Sequence, residues 1–212
     1  MIIEKIEKVK GRKNIFKVFS DKGGNMLLCA DSIVKFAIKA GMSLSVKELE
    51  DILSFDMAGR VVSDALALAA KRSYSRENLY KKLILKGYDA ENANAAVERL
   101  KELNYINDEK YAREYALYLI SRGKGEYALR AGLEKAGISK DLIKNVLESV
   151  KSAGEPYEQI IKIMRKKFGD FDPENKNEIR KIAAFFLRRG FPPQEIGKAF
   201  RKYKNAELEI SF

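Results

Sequence analysis

Three glycines set a spacing that constrains this 212-residue chain more than any other feature. Counting from Gly87, Gly137 and Gly190, an apolar side chain stands eight residues before each (Leu79, Leu129, Ile182) and four before each (Leu83, Leu133, Phe186). Others stand six after (Ala93, Ile143, Ile196), ten after (Val97, Leu147, Phe200) and thirteen after (Leu100, Val150, Tyr203). A pattern returning every ~50 residues marks a tandem repeat. The glycine falls where a helix must end in the left-handed conformation, and one large residue follows it each time (Tyr88, Ile138, Phe191), placed to cover the helix end. Asp89, Ser139 and the Pro192-Pro193 pair then start a new helix. Upstream in the first two copies, Val61/Tyr111, Ala65/Tyr115 and Leu68/Tyr118 fall at i, i+4, i+7, the stripe of one more amphipathic helix. Each unit is therefore three helices.

Units this small bury little surface alone, so three in tandem are expected to stack into an elongated curved array. The expectation is a mainly α fold with three-helix repeats at residues 57–104, 105–150 and 151–212. In the third copy the first helix, around Tyr157 to Phe168, is followed by an insertion at residues 169–175, rich in turn formers and read as a surface loop or a joint. Residues 1–56 are unlike the rest. Ile15, Phe16, Val18 and Phe19 form a β-prone run, Asp21, Gly23, Gly24 and Asn25 supply turn chemistry, and an apolar run resumes at Met26. These predict a small N-terminal α/β extension containing a β-hairpin or meander. The spacing between Ile2 and Val9 fits a helix almost as well as a strand. Asp31 can cap a short helix through Ala40 that Gly41 stops, and Ser45 with Glu48 forms the capping box of another through Leu53.

Composition removes whole classes of chemistry. There is no histidine, which excludes His-based triads and general bases, and Cys29 is the only cysteine, which excludes intrachain disulfides and CxxC pairs. No cofactor or metal is expected. Apolar runs such as Ala65 to Ala70 fall far short of the ~18 residues of a membrane span, so no membrane association is expected. Residues 1–10 alternate apolar and charged side chains instead of forming a secretory signal, and a cytoplasmic site is the expectation. Gly123, Gly125 and Ala128 match G-x-G-x-x-A, but they follow a helix and not a strand, which argues against a dinucleotide site.

What remains is a net charge of +11, which argues for an anionic partner. The excess is spread, with nets of +2, +3, +1 and +5 over residues 1–56, 57–104, 105–150 and 151–212. Core packing accounts for the apolar stripes, tyrosines included, but not for the basic residues between the helices. Arg72 and Arg122 both lie fifteen residues before their glycine and begin the connection into the middle helix. Lys81, Lys82, Lys86, Arg130, Lys135, Arg180, Lys181, Arg188 and Arg189 decorate the middle helices. Equivalent positions place them on equivalent faces, where guanidinium groups suit phosphate or carboxylate recognition; complementing helix dipoles is their ordinary alternative role. The candidate partner-binding set is Arg72, Lys82, Arg122, Lys124, Arg130, Arg188 and Arg189, with Gly123 and Gly125 letting that loop's backbone approach a partner closely.

At these residues a family resemblance emerges. Ala67-Leu68-Ala69-Ala70-Lys71-Arg72-Ser73-Tyr74-Ser75, Leu79-Tyr80-Lys81-Lys82-Leu83 and Lys86-Gly87-Tyr88 look like the first-repeat signature of RecX regulatory proteins. Ile106-Asn107-Asp108-Glu109-Lys110-Tyr111-Ala112-Arg113-Glu114-Tyr115, Arg122-Gly123-Lys124-Gly125 and Leu133-Glu134-Lys135-Ala136-Gly137-Ile138 resemble the family's most recognisable stretch. Phe186-Leu187-Arg188-Arg189-Gly190-Phe191 is similar to its third-repeat ending. The resemblance implies a non-enzymatic modulator of the RecA recombinase, and a monomer is expected. Such a protein binds in the groove of the RecA–DNA filament and limits its extension or promotes its loss, restraining strand exchange and coprotease activity. Single-stranded DNA is a further partner it implies. The residues leave two other classes open: a direct nucleic-acid-binding protein acting without RecA, and a helical scaffold for an acidic protein.

With no nucleophile–base pair to assemble, the purified protein is expected to show no turnover of labelled DNA in magnesium or manganese. Cleavage that copurifies with the chain would contradict this.

Overall fold

The computed structural model describes residues 1–11, 14–152, 154–169, 171–172 and 175–210, with side chains described through 204. It contains a three-stranded antiparallel meander followed by ten helices among the described residues. The chain divides into two compact units, one of residues 1–73 and 79–106, the other of residues 74–78 and 107–212.

In the first unit, β1 (Ile3–Lys8), β2 (Ile15–Ser20) and β3 (Asn25–Cys29) pair in chain order. Ile2 to Val9, ambiguous by spacing, is strand, because Lys5 to Lys8 find partners in Phe19 to Phe16. The sheet's buried Ile3, Val18 and Leu28 meet Ile38, Leu44 and Ile52 in one core. Helix α1 (Ala30–Lys35) is shorter than expected. Cys29, not Asp31, is its N-cap; Asp31 sits inside the first turn, and the helix ends where Ala37 turns left-handed (φ 47°). That turn lets the Ile38 N–H donate to the Ile33 carbonyl at 2.9 Å and drops Ile38 into the core.

Helix α2 corrects the segmentation more substantially. The Ser45/Glu48 capping box is present, but the helix runs unbroken from Val46 to Ala69, past the expected end at Leu53. Asp56, the last residue of the expected N-terminal extension, is buried in mid-helix. Its carboxylate accepts the Cys29 N–H at 2.6 Å and the Ser32 hydroxyl at 2.7 Å, and pairs with Arg60 one turn on at 2.6 Å. Arg60 in turn donates to the Leu27 carbonyl. One buried acid thus ties the end of β3 and the start of α1 to α2.

The unit continues with α3 (Arg76–Leu85), whose first turn belongs to the second unit, and α4 (Ala90–Glu102), which packs on α2. Tyr88, following Gly87, covers the end of α3 and donates to Asp64 of α2 at 2.9 Å, beside Lys86 at 2.6 Å. Burial and that hydrogen bond push the phenol up to about 12.

The second unit holds α5 (Asp108–Ser121), α6 (Glu126–Lys135) and α7 (Lys140–Ser152) around one core, and α8 (Pro156–Phe168), α9 (Lys176–Arg188) and α10 (Pro193–Ile210) around another. The three repeat glycines all have positive φ, at 94°, 75° and 82°. At each, the glycine N–H donates to the carbonyl three residues back at 2.9 Å. The next residue's N–H donates to the carbonyl of Leu83, Leu133 or Phe186 at 3.1–3.3 Å. This double closure satisfies carbonyls that a helix end leaves open and points the following large side chain back at the core. Of the apolar residues eight and four before and six, ten and thirteen after these glycines, all are buried except Val150 and Phe200, which are half-buried. Each fully buried Leu or Phe contributes about 1.5–3 kcal/mol relative to exposure. Asp170, Pro173 and Glu174 of the expected surface loop lie outside the described residues; Phe171 is buried and stacks on Tyr203 at 4.8 Å.

Asp56→Ala would strand the Arg60 cation and two donors, and is expected to cost about 3 kcal/mol. Urea unfolding checks this, and a loss well under 1 kcal/mol would contradict the tie.

Candidate functional site

The basic residues cluster where helix ends meet helix starts. The first N–H groups of α6 have no partner within their own helix, and they find one in the end of α9. Gly125 N–H donates to the Arg189 carbonyl and Tyr127 N–H to the Gly190 carbonyl, both at 2.9 Å. The two segments meet backbone to backbone. A Cβ on Gly125 would lie 2.5 Å from Phe191 N and Cα, and one on Gly190 would lie 2.5 Å from Ala128 N. Opposed partial charges at a helix N-terminus and a helix C-terminus make such an arrangement favourable. The same junction recurs one repeat earlier within the second unit. The Ser75 hydroxyl donates to the Ala136 carbonyl at 2.6 Å, and Glu77 packs where a side chain on Gly137 would be. Arg76 N–H donates to the Asp108 carboxylate at 2.8 Å.

These bonds revise the role expected for the glycine loop. Gly123 and Gly125 permit a close approach, here to Ile163 of α8, Arg189, Gly190 and Phe191 of this same chain. Arg189 is likewise engaged internally. Its guanidinium donates to the carbonyls of Arg122 (2.9 Å) and Gly123 (3.2 Å) and lies 4.6 Å from the centre of the Phe185 ring. Gln159 Nε2 of α8 reinforces the corner by donating to the Ile120 carbonyl at 2.7 Å.

The other candidates face outward. Arg122, the C-cap of α5, and Arg188, the last residue of α9, are exposed, and Lys124 is half-buried. In the first unit, Arg72 and Lys82 are exposed. Among the described residues no carboxylate lies within ion-pair distance of Lys82, Arg122, Lys124 or Arg188. Arg130 differs: it stands more than a turn into α6 and pairs with Glu126 at 3.6 Å. The structure therefore brings Arg122, Lys124 and Arg189 to one corner, joined by Arg188 through the chain, and sets Arg130 apart from them.

A cleft that sequence reasoning missed lies beside this corner. It has a volume of about 430 Å³ and runs between α5–α7 and α8–α10, lined by Leu117, Ile120, Leu129, Leu147 and Phe191, with Lys124 and Glu195 among its polar groups. Its walls come from residues far apart in the chain, so no local pattern announces it. Among the described residues no group of three or more His, Cys, Asp or Glu could hold a metal ion, and no helix is long and apolar enough to cross a membrane.

Residues 107–147 match the model of the RecX second three-helix domain, and residues 154–200 that of the RecX third three-helix domain. The chain is 27% identical over 208 residues to the regulatory protein RecX of Clostridium perfringens, covering 97% of each. To the regulatory protein RecX of Legionella pneumophila it is 32% identical over 149 residues, 70% of this chain and 98% of that one. A crystal structure of regulatory protein RecX superimposes with a TM-score of 0.67 at 20% identity, covering 93% of this chain and 98% of that one. The RecX structure from Lactobacillus salivarius gives 0.60 at 20% identity, covering 70% and 97%.

Gly125→Ala keeps an allowed φ of −90° yet drives a methyl into backbone that cannot give way. A loss of about 1–3 kcal/mol is expected. Gly59→Ala, in mid-helix with open space around it, should instead gain about 0.5–1 kcal/mol. Thermal unfolding of the two variants checks the contrast, and equal effects would contradict the junction's tightness.

Proposed function

The chain belongs to the RecX family, and from that premise we propose that it is a non-enzymatic regulator that binds the RecA–DNA filament. By limiting filament extension or promoting filament loss, it restrains strand exchange, ATP turnover and coprotease activity. It acts in the cytoplasm as a monomer, without a cofactor, through repeats bounded near residues 57–104, 105–150 and 151–212.

The observation that carries this reading is the corner of cations with no carboxylate partner among the described residues, Arg122, Lys124 and Arg188, set on helix ends whose backbone groups are already used internally. Cations left unpaired within the chain are available to an external anion, and a guanidinium suits both carboxylate and phosphate. A RecA–DNA filament presents both. Lys82 extends the set in the first unit, Arg72 is a further exposed cation there, and Arg130 contributes by exchanging Glu126 for a stronger partner. Arg189 acts as a positioning residue, holding the carbonyls of Arg122 and Gly123.

A second reading, favoured by the same cations, is phosphate binding on bare nucleic acid without RecA. Replacing Arg122 and Arg130 together by glutamate separates the two. On the filament reading, inhibition of strand exchange and of ATP turnover weakens while the thermal midpoint hardly moves, because exposed charges contribute only about 0–1 kcal/mol each to folding. On the second, the salt dependence of single-strand binding flattens by about 0.7 in log–log slope for each phosphate that the variant no longer neutralises, with or without RecA. Unaltered filament inhibition in the folded double variant would contradict the first reading.

A further inference from the structure

We propose that the exposed end of a tyrosine ladder on α5 is a stacking site for a base of single-stranded nucleic acid, with Arg122 holding the adjacent phosphate. Tyr111 and Tyr115 stack with centroids 5.7 Å apart and planes 21° apart, and Tyr115 and Tyr118 continue the ladder at 6.3 Å and 19°. The first two rungs are built in. Tyr111 is half-buried, and its hydroxyl accepts a hydrogen bond from Asn78 at 3.2 Å. Tyr115 is half-buried and lies across Gly132 of α6, where a Cβ would come within 3.1 Å of the ring. Tyr118, the last rung, is 55% exposed.

Packing does not require these rings. In the first repeat the same three helix positions carry Val61, Ala65 and Leu68, of which Val61 and Ala65 are buried. Aliphatic side chains of modest size therefore suffice at the equivalent helix interface, and the second repeat carries a half-exposed ring beyond that need.

Charge selects the occupant. Arg122 stands one turn beyond Tyr118 on the same stripe, exposed and without a carboxylate in ion-pair distance among the described residues. The Arg189 guanidinium abuts its carbonyl at 2.9 Å, so a second cation lies close by. The carboxylate one turn before Tyr118, Glu114, lies 4.0 Å from Lys110. An aromatic face beside an unpaired cation matches an unpaired base followed by its phosphate, and the match tolerates any sequence because every base has a π face. Duplex DNA, with its bases already stacked, offers no free face. The site deepens the reading proposed above, since DNA is one component of the filament, but its test needs no RecA.

The test is fluorescence anisotropy of a short fluorescein-labelled oligothymidylate with the full-length protein, with thermal midpoints recorded for every variant. Wild type and Tyr118→Phe are expected to bind alike, because the ring is kept. Tyr118→Ala should bind about tenfold more weakly, within the range for removal of one base–aromatic stack. Arg122→Ala should also bind more weakly and lower the log–log salt slope by about 0.7. Oligothymidylate binding by Tyr118→Ala equal to wild type would overturn the site, as would loss in Tyr118→Phe matching that in Tyr118→Ala, or no binding by wild type. RecA ATP turnover, measured with the same proteins, keeps the two ideas apart. Wild type that inhibits RecA but ignores the oligonucleotide overturns the site alone. Ring-dependent oligonucleotide binding in a protein that leaves RecA unaffected supports the site and counts against the filament reading. A Tyr118→Ala variant that loses inhibition yet still holds the oligonucleotide like wild type would make the ladder a protein-docking surface, and the nucleic-acid site would fall.

Discussion

A left-handed residue closing a helix is the constraint from which most of this structure follows. At Gly87, Gly137 and Gly190 it reverses the chain within one peptide unit and folds the next large side chain back over the helix it has just left. The same double closure recurs on Ala37, Asn104 and Gly123. Short helices of ten to fourteen residues are marginal alone. Where the residue after the closure is a buried Ile38, Ile138 or Phe191, the connection itself becomes part of the core. In the second unit the closed ends also leave carbonyls facing outward, and the next helix start binds there: Gly125 and Tyr127 on Arg189 and Gly190, Ser75 on Ala136. Orphan donors of one helix thus meet orphan acceptors of another, which lets helices join end to side without a covering side chain.

The chemistry of the basic corner depends on that economy. Because backbone groups hold the junction together, the side chains of Arg122, Lys124 and Arg188 are not needed for it. Arg189 is the exception, and its position explains why the others point outward: its guanidinium occupies the carbonyls of Arg122 and Gly123, fixing the loop from which those cations project. The Phe185 ring beneath Arg189 holds the guanidinium further through a cation–π interaction, with Lys167 at 4.2 Å from the same ring.

What could be read from the sequence was local and periodic. The left-handed glycines, the caps at Asp89 and Ser45 and the buried positions depend on residues within a turn or two of each other, and the repeat on their return every ~50 residues. What could not be read depends on distant partners. Asp56, the last residue of the segment that reads as unlike the rest, lies in mid-helix and accepts from Cys29 and Ser32 far back in the chain. Ala37 carries no signal for a left-handed turn, so α1 ends earlier than its pattern suggests. Tyr118 shares its spacing with the half-buried Tyr111 and Tyr115, and only the folded chain separates the exposed ring from the packed ones. Arg189 and Arg188 are adjacent and alike in sequence, yet one is internal and the other faces solvent.

The central functional claim is that the assembled filament, and neither of its components, is the preferred partner. It is tested most directly by measuring binding to single-stranded DNA, to RecA alone and to a preformed RecA–DNA filament, side by side at two salt concentrations. The account predicts detectable but weak binding to bare DNA and much tighter binding to the filament, with the preference surviving the higher salt. Equal affinity for bare DNA and filament, falling together as salt rises, would contradict it.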